Sequence, residues 1–232
     1  MKPEIIRTSN FVGDAADFIL EQARIALGQR NEFRMALSGG NTPRPVYQEF
    51  GRRAADLYWE QIRFTFGDER CVPPDDPESN YRMAKESLFD PYTVPDKSVL
   101  RMRGEIDPAL AAKEYEDALA VIATPHGEIM YRHDLMLLGM GADGHTASLF
   151  PGTPAAEEQV RRVVANYVPK LDSWRLTMTL PLINHSRVVL FLVRGDKNPE
   201  ILERVLAGDP QFPASRVAPE NGRLIWMIGE QA

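Results

Sequence analysis

The run His133-Asp-Leu-Met-Leu-Leu-Gly-Met-Gly-Ala-Asp-Gly-His-Thr-Ala-Ser-Leu-Phe-Pro151 begins as a buried strand and ends as a loop fit for chemistry. Leu135 to Leu138 is an uninterrupted apolar stretch, as expected of a strand covered on both faces. It breaks into a turn marked by Gly139, Gly141 and Gly144, which delivers Asp143 and His145 to the strand's carboxyl end. In open α/β sheets ligands bind outside the carboxyl ends of the strands. A histidine there can take or give a proton near neutral pH. A tight turn without a ligand would also explain the glycines, but not the acid and imidazole beside them.

The three glycines also satisfy G-x-G-x-x-G, the dinucleotide fingerprint, which requires a helix opening at the glycines and an acid about 20 residues on. Pro151 and Pro154 forbid a long helix here, and Glu157 and Glu158 come too early and follow no strand. A nicotinamide site is therefore disfavoured.

Working outward, apolar runs at Phe33–Leu37, Ile62–Phe66, Val163–Val168, Arg175–Leu180, Val188–Val193 and Leu224–Ile228 read as further strands. Helical spacing marks a helix capped by Asp14 and running through Phe18, Ile19, Ala23 and Leu27. Further helices are expected at Ser79–Phe89, Asp107–Val121 and Pro199–Leu206. Another should start at Pro43 with Thr42 as its cap. Strands alternating with helices predict an α/β protein, Rossmann-like, with a mostly parallel sheet, helices on both faces and room for a small antiparallel lobe. No repeat or linker divides the chain, so residues 1–232 are read as one domain.

The 232 residues are 44% hydrophobic and 26% charged, the balance of a soluble globular protein. A net charge of −6 without a long basic run disfavours nucleic acid and anionic membrane as partners. No segment approaches the roughly 18 apolar residues of a membrane span, and the N-terminus lacks a signal peptide's apolar core. Cys71 is the one cysteine, so no internal disulfide can form; this suits a reducing, cytoplasmic location. Cys71 itself reads as packing rather than as a nucleophile.

Three strand-end loops carry candidate chemistry. Ser38-Gly39-Gly40-Asn41-Thr42-Pro43, between a strand and a helix, can offer backbone amides and a helix dipole to an anion, or serve as a plain turn. Asp68-Glu69-Arg70 pairs an acid with a guanidinium, either to hold a hydroxylated, phosphorylated substrate or as a surface salt bridge. The third loop is Asp143 with His145. No G-x-S-x-G elbow, H-E-x-x-H motif or cysteine pair is present, so no metal site and no serine nucleophile is expected.

Together these loops resemble the 6-phosphogluconolactonase family. The resemblance rests on Leu37-Ser-Gly-Gly-Asn-Thr-Pro43, on Gly67-Asp-Glu-Arg70 with Ser79-Asn-Tyr81, and on the segment ending Gly144-His-Thr-Ala-Ser-Leu-Phe-Pro151. Support comes from Arg175-Leu-Thr-Met-Thr-Leu-Pro-Leu-Ile-Asn184, Gly195-Asp-Lys197, Pro213-Ala-Ser and Val217-Ala-Pro. Asn41 stands where the family has Ser, Asp76 where a histidine is common, and Ala142 where an acid or proline is common. The resemblance implies cofactor-free hydrolysis of 6-phosphogluconolactone, a step of the oxidative pentose phosphate pathway. It makes His145 the general base supported by Asp143, and the phosphorylated sugar lactone the partner. Ser38, Gly39, Gly40, Asn41, Thr42, Asp68, Arg70, Arg175 and Lys197 are then the candidates for binding the substrate and its oxyanion. The protein is expected to be a monomer or a weak homodimer.

Glucosamine-6-phosphate deaminase is the rival on the same fold. It is disfavoured because Thr146-Ala-Ser-Leu-Phe-Pro151 and Asp68-Glu-Arg70 differ from its Ile-Ala-Phe-Asn-Glu-Pro and Asp-Glu-Tyr. A non-catalytic sugar-phosphate sensor would need a DNA-reading domain. Only about thirty residues, holding one helix, precede the first expected strand.

Overall fold

A computed structural model describes residues 3–194 and 198–230. The chain runs β1 (Glu4–Thr8), α1 (Phe11–Arg30), β2 (Phe33–Leu37), α2 (Arg44–Arg53), β3 (Ile62–Phe66) and β4 (Asp68–Arg70). It continues through α3 (Asn80–Ala84), α4 (Pro108–Ala123), β5 (Leu135–Leu138), β6 (Val163–Val168), β7 (Ser173–Met178) and α5 (Leu180–Ile183). It ends with β8 (Val188–Arg194), α6 (Pro199–Leu206) and β9 (Arg223–Gly229). Six strands form a parallel sheet in the order β1-β9-β8-β5-β2-β3, and β4-β7-β6 form a small antiparallel sheet.

Side chains alternate across the parallel strands, and the inner strands β2, β5, β8 and β9 therefore feed two cores. Leu135, Leu137, Val188, Leu190, Ile225 and Met227 point to one face, where they meet Ala15 and Ile19 of α1 and Val46, Tyr47 and Phe50 of α2. Met136, Leu138, Val189, Phe191, Trp226 and Ile228 point to the other. There they meet Ala112, Tyr115 and Leu119 of α4, Leu202 and Val205 of α6, and Leu176 and Met178 of the small sheet. Helices thus cover both faces, as the alternation of elements predicted, and the antiparallel lobe lies on the second.

Several boundaries differ from expectation. β1 was not foreseen, because Glu4–Thr8 is mostly exposed at the sheet edge and gives little apolar signal. α1 begins at Phe11, so Asp14 is not its cap; it sits in the first turn and accepts from Thr8 Oγ1 and Asn10 Nδ2. α2 begins at Arg44 with Pro43 at the cap position and no side-chain cap, which leaves Thr42 in the preceding turn. The expected helix over Ser79–Phe89 is α-helical to Ala84 and continues as a π-helical turn, Lys85–Phe89, with Ser79 capping its start. Asp68–Arg70, read as a turn, is a short strand held by β7. β7 ends at Met178, and Leu180 starts a helix instead. Among the described residues no helix is long and apolar enough to cross a membrane.

The strand order locates the crevice. β2 connects outward to β3, whereas β5 connects in the opposite direction to β8, so the direction of winding reverses between β2 and β5. That reversal separates the loops leaving the two strands and opens a cleft at their carboxyl ends. The loops are Ser38–Pro43 and Gly139–Ser148.

At the far end of β5, His133 is fully buried, with Nε2 2.9 Å from Thr65 Oγ1. Burial, aided by Arg34, pushes its pKa down to about 3. The folded state holds it neutral, while the unfolded chain protonates it at about 6.5. Stability is therefore complete above pH 6.5 and is lost as the pH falls toward 3. Between pH 7 and pH 5 the loss should be about 2 kcal/mol. Urea unfolding at the two pH values measures it, and His133→Gln should flatten the slope. An unchanged slope in that variant would show that other groups carry the acid sensitivity.

Candidate active site

The cleft has a volume of about 610 Å³ and gathers all three strand-end loops. Ser38 to Pro43 form one wall, Gly139 to Ser148 another, and Asp68, Arg70 and Arg175 line it from the small sheet. Of the residues singled out from sequence, Ser38, Gly39, Gly40, Asn41, Thr42, Asp68, Arg70, His145 and Arg175 face this one space. Asp143 touches it through His145. Lys197 lies outside the described residues.

His145 is held on three sides. Its Nδ1 lies 2.5 Å from Asp143 Oδ1, and its backbone N–H donates to the same oxygen at 3.2 Å. A carboxylate can only accept, so Nδ1 carries the proton and Nε2 keeps its lone pair. Phe150 stacks on the ring at 4.0 Å between centroids. Gly141 closes the third side: a Cβ there would lie 2.0 Å from the imidazole Cε1. Gly144 adopts φ +75°, which a side chain would strain, and packs against Phe212. Gly141 makes room for the histidine, and Gly144 supplies the left-handed turn that brings it there.

Burial pushes the His145 pKa below the ordinary imidazole value; Asp68 opposes this, while Arg175 and Arg70 add to it. The neutral ring therefore predominates at pH 7. Gly141→Ala should displace the imidazole and lower turnover by about 100-fold, the scale set by a misplacement of about 1 Å. Steady-state kinetics on the folded variant tests this, and wild-type turnover would mean that the turn yields without moving the ring.

The acid–guanidinium loop is built for the cleft. Asp68 is buried, accepts from Ser148 Oγ at 2.7 Å and from Asn80 Nδ2 at 3.2 Å, and makes no ion pair with another described residue. Glu69 points away and is consumed in structure, accepting from the backbone N–H groups of Arg70, Asn80 and Tyr81 and from Ser79 Oγ. Burial raises its pKa, and those backbone donors oppose the rise. The Ser79-Asn-Tyr81 motif thus anchors β4 from below. Arg70 donates to Glu78 O at 2.5 Å, and its Nε is buried without a partner among the described residues. The surface salt bridge considered from sequence is not what this triplet forms.

Arg70 stands directly opposite Arg175 in the β4–β7 register. Burial and the neighbouring Arg70 lower the Arg175 pKa. Two guanidiniums brought together at a cleft wall favour an anion between or beside them. Cys71 is a poor nucleophile, its thiol pushed up to about 11 by burial. Among the described residues no three His, Cys, Asp or Glu side chains converge to hold a metal ion.

Sequence reasoning missed several lining residues. Lys170 reaches the cleft from the turn between β6 and β7 and pairs with Asp143 Oδ2. Asn80, Ser148, Arg194 and Asn198 also line it. Asn80 and Ser148 stood inside motifs already quoted and could have been read from them. Lys170 and Arg194 carry no local signal.

A family model described as glucosamine-6-phosphate isomerases/6-phosphogluconolactonase matches residues 7–226. A 6-phosphogluconolactonase of Synechocystis sp. is 42% identical over 211 residues, covering 89% of this chain and 86% of that protein. A human 6-phosphogluconolactonase is 32% identical over 236 residues, covering 98% and 91%. The crystal structure of 6-phosphogluconolactonase from Thermotoga maritima superposes with a TM-score of 0.87 at 28% identity, covering 99% of this chain and 100% of that one. A monomeric glucosamine-6-phosphate deaminase reaches a TM-score of 0.80 at 19% identity, a likeness of fold alone.

Proposed function

The chain belongs to the glucosamine-6-phosphate isomerase/6-phosphogluconolactonase family, and we propose that it hydrolyses 6-phospho-D-glucono-1,5-lactone to 6-phosphogluconate with His145 as the general base. The observation that carries the assignment of roles is the convergence in one cleft of an imidazole whose Nε2 no described residue engages, an anion-ready loop and paired guanidiniums.

A lactone carbonyl is already electrophilic, so the protein has three tasks: to activate water, to stabilise the oxyanion and to orient the ring. Nε2 of His145 takes a proton from water as the water oxygen bonds to C1. The carbonyl electrons move onto oxygen, and a cationic donor, Arg70 or Arg175, stabilises the tetrahedral oxyanion. The oxyanion then reforms the carbonyl, the C1–ring oxygen bond breaks, and the imidazolium returns its proton to the departing ring oxygen. Asp143 stabilises that transient imidazolium and keeps the ring in the required tautomer. Asp68, with Ser148 and Asn80 fixing its carboxylate, is suited to accept from sugar hydroxyls. The amides of Gly39 and Gly40, with Ser38, Asn41 and Thr42, are suited to the 6-phosphate.

The lone cysteine suits a reducing compartment, and we take the protein to act in the cytoplasm. The direct test sets lactone hydrolysis against glucosamine-6-phosphate deamination with purified protein. Lactone hydrolysis above the spontaneous rate, without ammonia release, is expected; ammonia release would reassign the chain to the deaminase branch.

A further inference from the structure

We propose that Lys170 is a positioning residue that clamps the His145 imidazole from the small sheet. The proposal rests on the reading of His145 as the base. Lys170 sits in the Pro169–Leu171 turn that joins β6 to β7. From there it makes two contacts, each with a group that itself holds the imidazole. Nζ pairs with Asp143 Oδ2, while Oδ1 of the same carboxylate lies 2.5 Å from His145 Nδ1. Nζ also lies 4.5 Å from the centre of the Phe150 ring, which stacks on His145 at 4.0 Å.

One cation thus braces both the carboxylate and the aromatic plate between which the imidazole is set. The Asp143 side chain is 35% exposed, so without this brace only the backbone N–H and Nδ1 of His145 hold the carboxylate, and its grip on the ring loosens without its leaving the ring. The charged groups facing the imidazole are Asp143 from its own loop, Asp68, Arg70 and Arg175 from the small sheet, and Lys170. Lys170 offsets the Asp143 charge. Its removal leaves that carboxylate uncompensated next to the ring and favours the imidazolium.

The test compares wild type, Lys170→Met and Lys170→Arg. Thermal melting first confirms that each variant is folded. NMR titration of the His145 ring should then show its midpoint moving upward by about half a unit to one unit in Lys170→Met. With 6-phosphogluconolactone, kcat should fall about tenfold and KM change less than twofold. The same fall in kcat should appear with unphosphorylated gluconolactone, because the brace acts on the base and not on the phosphate. Lys170→Arg should restore both the titration and kcat in large part.

An unmoved titration with a loss confined to KM for the phosphorylated lactone would overturn the proposal and make Lys170 a phosphate ligand. An unmoved titration with unchanged kinetics would overturn it as well, leaving a solvated surface charge. The titration needs no substrate. If the protein hydrolysed neither lactone, that result would refute the activity, and the shift would still report whether Lys170 braces the ring.

Discussion

His145→Ala should lower kcat for 6-phosphogluconolactone by about 10²–10⁴, the range that a positioned acid–base contributes. KM should change little, because the imidazole contacts the attacking water and not the phosphate. The lactone also opens spontaneously, so the uncatalysed rate must be subtracted before the ratio is formed. The variant should remain folded, since the ring is held by the loop and does not hold it. The pH dependence follows from the same group. Burial depresses the His145 pKa, so the base stays unprotonated to a lower pH than a free histidine would. Activity should hold as the pH falls through 6.5, the ordinary imidazole midpoint, and decline only below it. The acid limb should vanish in His145→Ala. An unchanged kcat in that variant, or an acid limb lying above pH 6.5, would remove His145 from the mechanism.

The second large effect is substrate discrimination. 6-Phosphogluconolactone should be preferred over gluconolactone by about 10²–10⁴ in kcat/KM, from two or three charge-assisted hydrogen bonds of about 1.5–3 kcal/mol each, discounted for non-additivity. Arg175→Ala should erode that preference. Arg175 faces the cleft half-buried, opposite Arg70 across the β4–β7 pair, and its loss removes one donor and relieves the crowding of like charges. If Arg175 serves the phosphate, only the phosphorylated lactone should suffer. Parallel losses on both lactones would assign it to the oxyanion, which they share. Equal kcat/KM for the two lactones in the unmodified protein would refute the phosphate site altogether.

Much of this was legible in the sequence for identifiable reasons. β2, β3, β5 and β6 have the limits their apolar runs suggest, because Gly, Pro and charged residues punctuate them locally. Asp143 and His145 could be read as a unit because they lie two residues apart on one turn. β4 could not be read. Asp-Glu-Arg has no strand signature, and it becomes a strand only because Arg175 to Thr177 of a distant segment pair with it. Lys170 was hidden for the same kind of reason. It stands 27 residues from Asp143, in a turn with no motif, and only the folding back of the small sheet brings the two together. The local code reports what neighbours in sequence dictate; the cations of this cleft are placed by tertiary pairing.

β9 lies between β1 and β8, with Glu4 to Thr8 registered against Ile225 to Gly229. The first and last strands of the described chain are therefore neighbours in one sheet. A ribosome delivers β1 well before β9, so until β9 emerges β1 has no partner in the sheet and β8 presents an open parallel edge. The sheet closes only after nearly all of the described chain has emerged. Such closure is slow and exposes strand edges meanwhile, so the nascent protein passes through a stage open to aggregation or to chaperone capture. The adjacency of the two strands also invites circular permutation, with the residues to be joined at opposite ends of the parallel pair. A crossover linker of about a dozen residues or more, with new ends cut in an exposed loop, would let β9 and β1 emerge in succession and shorten that vulnerable interval.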